Sequence, residues 1–188
     1  MVSKTQTRLT AQDYFDLPES DERYELINGE LCMAPTPIPE HQIFLYYFTK
    51  VFEEFITRHN LGRVIMSPQD VLLADDVVLQ PDMMFISNAR LSIIKWGKCI
   101  QGAPDLVVEV LSPSTTRHDR TVKRELYAGH GVREYWIADI VARTIEVHVA
   151  QGGEFLPAVV YGEGDVVKSP LLPDLEIDVS GVFESARL

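Results

Sequence analysis

The chain has 188 residues, 46% of them hydrophobic, which is enough to bury a substantial core. No run approaches the roughly 18 apolar residues of a membrane span, and the first ten residues lack the apolar stretch of a secretory signal. Two cysteines, Cys32 and Cys99, exclude a disulfide framework or a zinc cluster, and a formal net charge of −11 argues against a general phosphate-binding surface. With no repeats or linker-like tracts, one domain over residues 1–188 is expected, in a reducing cytoplasm.

Taken in chain order, Thr10 is an N-cap for a short helix over residues 10–17 that stops before Pro18. Residues 23–33 read as a β-hairpin about Asn28-Gly29, the strongest two-residue turn signal. Across that turn Ile27 pairs with Glu30 and Glu25 with Cys32, so Glu25 and Glu30 share a face opposite Tyr24, Leu26, Leu31 and Met33. A proline-rich bend leads into a long helix over about 40–59, with Phe44, Leu45, Phe48, Val51, Phe52, Phe55 and Ile56 on one apolar face. Short strands follow at 63–67, 70–73 and 83–86, and residues 88–103 read as irregular or partly helical.

Residues 106–111 form a nearly continuous apolar run, the pattern of a central strand covered on both faces, and Glu109 interrupts it. Hydroxyl residues at 112 and 114–116 offer N-caps for a helix through Tyr127, closed by Gly129 and Gly131. Strands at 134–139 and 144–149 come next, the second alternating as a half-buried strand does, and a further strand lies within 155–161. The order of elements specifies an α/β fold, a mixed sheet flanked by helices. Residues 88–135 carry 8 basic and 5 acidic side chains, against the trend of the chain, and suit either phosphate or a solvated helix and loop.

An ionised carboxylate in a core strand is costly unless it is paired or binds a metal. Asp82 begins one apolar strand and Glu109 sits inside another, so pairing of these strands brings both side chains to one cation. Mg2+ takes oxygen ligands and keeps several waters, so two carboxylates suit it. Such a cation activates water and offsets charge on a phosphodiester, and a nearby lysine orients that water.

Pro81-Asp82 followed by Glu109 resembles the PD-(D/E)XK signature of restriction-endonuclease-like nucleases. Tyr24-Glu25-Leu26-Ile27-Asn28-Gly29-Glu30-Leu31, Pro39-Glu40-His41, Gln80-Pro81-Asp82, residues 102–115 and residues 123–136 together resemble the Uma-type family of bacterial restriction endonucleases, once a domain of unknown function. The resemblance implies a restriction-endonuclease-like fold with an N-terminal β-hairpin, Mg2+ or Mn2+ as cofactor, DNA as substrate and a homodimer. It implies that Asp82 and Glu109 bind the metal. The signature's lysine, two residues after the glutamate, is replaced by Leu111, and the resemblance moves that role to Lys123 on the following helix. Asp119, Lys123 and Tyr127 fall on one helix face; the plainer reading is an exposed Asp119–Lys123 pair of a few tenths of a kcal/mol.

Glu25, Glu30 and His41 are supporting candidates, with solvent-facing or structural roles as their alternatives. Asp105 shares the alternation of Glu109 but starts its strand. His118 and Arg120 suit solvent or phosphate better than metal. Two functions follow: a Mg2+-dependent endonuclease acting on DNA, or a non-catalytic DNA-binding or protein-interaction module on the same fold, which the acidic charge and Leu111 favour.

Overall fold

The computed structural model describes residues 8–18, 20–112 and 116–187. Helix α1 (Ala11–Phe15) starts at a capping box, in which Asp13 N donates to Thr10 Oγ1 and Thr10 N donates to the Asp13 carboxylate. Strands β1 (Arg23–Ile27) and β2 (Glu30–Ala34) pair in the expected register, Ile27 with Glu30 and Glu25 with Cys32. Their turn needs two left-handed residues, and Asn28 (φ 51°) and Gly29 (φ 79°) supply them. A Cβ on Gly29 would lie 2.7 Å from Arg8 Cβ, so the N-terminal segment closes over this turn.

Helix α2 (Pro39–Arg58) opens with a proline in its first turn, where no backbone N–H is missed. It buries Phe44, Leu45, Phe48, Phe52 and Ile56, whereas Val51 is 38% exposed and lies off the core face. Seven strands make the central sheet. Strands β3 (Gly62–Met66), β6 (Met83–Ser87), β9 (Leu106–Val110), β10 (Glu134–Asp139), β11 (Thr144–Gln151) and β12 (Glu154–Phe155) lie side by side, and β13 (Val159–Tyr161) pairs with β11. Only β9 and β10 run parallel, so the sheet is mixed, as expected. Every residue of β9 is buried, which explains its nearly unbroken apolar sequence.

A second, six-stranded sheet joins the hairpin to β4 (Val71–Ala74), β5 (Val77–Leu79), β7 (Ile94–Lys95) and β8 (Cys99–Gln101), in the order β2-β1-β5-β4-β8-β7. The segment 88–103, expected to be irregular or partly helical, holds a 3-10 turn (Asn88–Ile93) and the small β7–β8 hairpin. Near the C-terminus β14 (Val166–Lys168) and β15 (Glu176–Asp178) pair and lead into α5 (Val179–Ser185).

The core is layered. On one face of the central sheet α2 and α5 meet in an aromatic cluster of Phe44, Phe48, Phe52, Phe85, Trp136 and Phe183, with Phe44 and Phe183 centroids 4.8 Å apart. Truncating one of these rings to alanine costs about 3–5 kcal/mol. The other face packs Met84, Ile86, Val107, Tyr135 and Ile137 against Ile27, Val71, Leu79 and Ile100 of the second sheet. The C-terminal segment is part of this core. Glu134, 1% exposed, accepts from Trp136 Nε1 at 2.9 Å, Ser169 Oγ at 2.8 Å and Leu171 N at 2.6 Å, which ties that segment to β10.

After β9 the chain re-enters helix as α3 (Thr116–His118), a π-helical segment (Asp119–Lys123) and α4 (Arg124–Gly129). The hydroxyl caps expected at 114 and 115 lie outside the described residues. This helical run packs between the two sheets and sets the position of the site.

Candidate active site

Asp82 immediately precedes β6, and β6 pairs antiparallel with β9, with Met83 opposite Val108. Its side chain therefore reaches the C-terminal end of β9, where Asp82 Oδ2 accepts from Val110 N at 2.8 Å. The same oxygen lies 3.0 Å from His41 Nε2, at the start of α2. His41 is 4% exposed, and among the described residues its Nδ1 has no hydrogen-bond partner.

Glu109 alternates with Val107 and Leu111, so it faces the second sheet and α4 rather than the aromatic cluster. It is 3% exposed, and its Oε1 accepts from Lys123 Nζ at 3.1 Å and from Tyr127 OH at 2.8 Å. Lys123 Nζ also lies 3.0 Å from Glu25 Oε1 and 3.6 Å from Asp119 Oδ1. Glu25 Oε1 accepts from Gln80 N at 2.8 Å, which ties the hairpin to the strand-end carrying Asp82. Two sheets, α2 and the helical run after β9 thus deliver four carboxylates, Lys123, Arg23, His41 and His118 to a single open pocket of about 150 Å³.

Strand pairing places Asp82 beside Glu109 as the sequence implied, and Lys123 is buried among carboxylates rather than forming an exposed pair with Asp119. Glu25 and His41 join the pocket, but Glu30 is exposed at the turn end of β2 and lies outside the lining. Asp105 sits at the other end of β9, where Ser87 N donates to it at 2.8 Å and Arg90 at 3.2 Å. His118 borders the pocket, whereas Arg120 is held by Glu146 at 2.6 Å and Asp139 at 3.5 Å.

A family model described as "Putative restriction endonuclease", Uma2, matches residues 11–180. The chain belongs to the Uma2 family. A solved structure from Anabaena variabilis, described as a putative nuclease of the family DUF820, has the same fold: TM-score 0.81 at 20% identity, over 95% of this chain and 99% of that one. No curated protein matches the chain.

The electrostatics of this Uma2 site follow from its burial. Burial pushes the Glu109 carboxyl well above its ordinary range; Asp82, Asp119 and Glu25 add to the rise, and Lys123 opposes it. For Lys123 burial acts downward, but Glu109, Glu25, Asp119 and Asp82 outweigh it and raise the ammonium well above its usual value. Lys123 is therefore a firm cation. Tyr127 is raised well above its usual range by burial and by Glu109 and Glu25, so it stays a neutral donor.

Among the described residues lining the pocket, Glu25, Asp82, Glu109 and Asp119 stand with one lysine, Lys123, and one arginine, Arg23. Among the described residues no three His, Cys, Asp or Glu side chains form a metal-binding group by themselves. A structural zinc site does not fit that donor set, which lacks the four N or S ligands zinc takes. Mg2+ or Mn2+ fits it, since one or two carboxylates with water and substrate oxygens complete such a shell.

Sequence reasoning missed two contributors. Tyr127 was placed on the face of Lys123, yet its donation to Glu109 depends on how closely the helix docks on β9. Arg23 donates to Gln80 Oε1 at 3.0 Å and to Ser67 Oγ at 2.6 Å, partners 57 and 44 residues away that only the second sheet brings close.

Proposed function

We propose that this protein is a divalent-cation-dependent endonuclease hydrolysing DNA phosphodiester bonds, with Asp82 and Glu109 as ligands for Mg2+ or Mn2+. The observation that carries this reading is the convergence of Asp82, Glu109 and Lys123 in one pocket, from a strand end, a central strand and a helix. The family description and the nuclease description of the Anabaena variabilis protein support it.

A divalent cation bound there supplies a Lewis acid that lowers the pKa of water and offsets phosphate charge. The chain's own residues do the rest. Val110 N and His41 fix the Asp82 carboxylate before any ligand arrives. Tyr127 OH and Lys123 fix one oxygen of Glu109. Lys123 Nζ, a buried charged donor, orients the attacking water or takes a non-bridging phosphate oxygen. Glu25 and Asp119 hold that ammonium in place. In this reading His41 and Glu25 support the site, and Glu30 stays outside it. The enzyme works in the cytoplasm as a homodimer, by analogy with nucleases of this fold.

The test is cleavage of plasmid and oligonucleotide DNA by purified protein with Mg2+ or Mn2+, across salt concentrations. Glu109→Ala and the closer replacement Glu109→Gln are expected to abolish cleavage, with unchanged far-ultraviolet circular dichroism. DNA left intact by the wild-type protein, or cleavage surviving both variants, would overturn the reading. The net charge of −11 favours a second reading, a non-catalytic DNA-binding or protein-interaction module. That reading expects binding that survives both variants and chelation of divalent metal.

A further inference from the structure

The tip of the β7–β8 hairpin reads Lys95-Trp96-Gly97-Lys98, and all four residues are exposed. Trp96 is 85% exposed, the largest apolar surface any aromatic ring of the described residues offers to solvent. An isolated tryptophan held out on a tight hairpin has no packing role, because its ring is left in water. Its charge setting is unusual for this chain. Residues 83–104 contain Arg90, Lys95 and Lys98 and no aspartate or glutamate, within a chain of net charge −11. The groove beneath the tip is lined by Arg63, Gln69 and the hairpin itself, again with no acidic side chain.

In the six-stranded sheet β7 lies at the opposite edge from β2, yet one short segment connects the tip to the site. Residues 67–70 join the two. Ser67 N donates to Asp82 O at 3.0 Å, and Arg23 of the site pocket reaches Ser67 Oγ. At the other end of that segment Ile100 N donates to Asp70 O at 2.8 Å, and Gln69 borders the groove with Trp96. Lys-Trp-Gly-Lys is therefore one short segment away from Asp82.

We propose that the β7–β8 hairpin is a strand-binding element for single-stranded nucleic acid, with Trp96 stacking on an unpaired base and Lys95, Lys98 and Arg63 meeting phosphates. A flat ring flanked by cations suits a nucleotide strand, since every base presents a π-face and every linkage a negative charge. An acid-free patch on an acidic protein also directs a polyanion to this edge and away from the rest of the surface. The inference takes its substrate class from the nuclease reading, but its test is independent of cleavage.

Trp136, the other tryptophan, is fully buried, so quenching of the exposed emission reports Trp96. The experiment titrates full-length protein in EDTA, where no cleavage occurs, with a single-stranded oligonucleotide of about 12 nucleotides. Expected are quenching on binding, an affinity about tenfold weaker in Trp96→Ala, and a weaker salt dependence in Lys98→Ala, by roughly 0.7 in the log–log slope. Weaker binding of a blunt duplex supports the base-stacking mode, and equal or tighter duplex binding overturns it. Trp96→Ala that binds as the wild type does overturns the proposal and leaves the nuclease reading untouched. Binding through Trp96 without any cleavage in Mg2+ or Mn2+ upholds the proposal and sinks the nuclease reading. Self-association that Trp96→Ala abolishes, with no response to oligonucleotide, assigns the tip to a second copy and overturns it.

Discussion

Lys123 is one ammonium shared by Glu25, Glu109 and Asp119, and that sharing makes it costly to remove. Lys123→Met leaves three acidic side chains gathered without their cation, a change of about 3 kcal/mol when a buried partner is lost. Urea denaturation in EDTA should register that loss, and added Mn2+ should return part of it by meeting the same charge. No recovery on adding Mn2+ would argue that the cluster has no affinity for a cation. Asp105 offers a contrast at the other end of β9. Burial works against its charged form, but Ser87 and Arg90 outweigh burial and hold its pKa below the ordinary value. The folded state then favours the carboxylate, so its contribution is full above the unfolded pKa of about 3.9 and is lost as pH falls through the folded value. Asp105→Asn should therefore flatten the acid limb of the stability curve below about pH 4, read as melting temperature against pH. An unchanged acid limb would show that Asp105 is not the group responsible.

At the scale of elements, the N-terminal hairpin carries the clearest local code. Asn28-Gly29 sets the turn, the turn sets the register, and the register decides that Glu25 points inward. Gly29→Ala forces an L side chain into positive φ and against Arg8, which should cost roughly 1–3 kcal/mol of stability. Chemical denaturation measures it directly, and a change under a few tenths would mean that the segment over the turn gives way. Elements governed by their own residues were legible from sequence: the Thr10 cap, the α2 stripe, the apolar run of β9. Those governed by distant partners were not. Strand β5 is three residues long and has no pattern of its own; it exists because β1 and β4 flank it. The sequence patterns name no element after residue 161, yet Val167, Ile177, Val182 and Phe183 close the core over α2. The site divides in the same way. Asp82 and Glu109 could be named from residue type and order and Lys123 from the family resemblance, whereas the reach of Arg23 to Ser67 and Gln80 required the second sheet to be in place.

For the whole molecule, the nuclease reading makes the excess of carboxylates in one pocket a reservoir of binding energy for a cation. A ligand that binds only the folded state at a hundred times its dissociation constant adds about 2.7 kcal/mol to stability. Mn2+ or Mg2+ should therefore raise the melting temperature of the wild-type protein. Asp82→Asn should remove most of that rise, and an equal rise in both proteins would place the cation elsewhere. The pocket is drawn from β1 in one sheet, from β9 and the residue before β6 in the other, from the start of α2 and from the helical run after β9. No fragment of the chain possesses it. During synthesis the carboxylates emerge first and Lys123 later, and they meet only when both sheets have closed on the helix. On the nuclease reading, a half-made or half-unfolded chain is therefore harmless to the nucleic acid around it: the fold acts as a safety catch, and completion of the protein is the event that arms it.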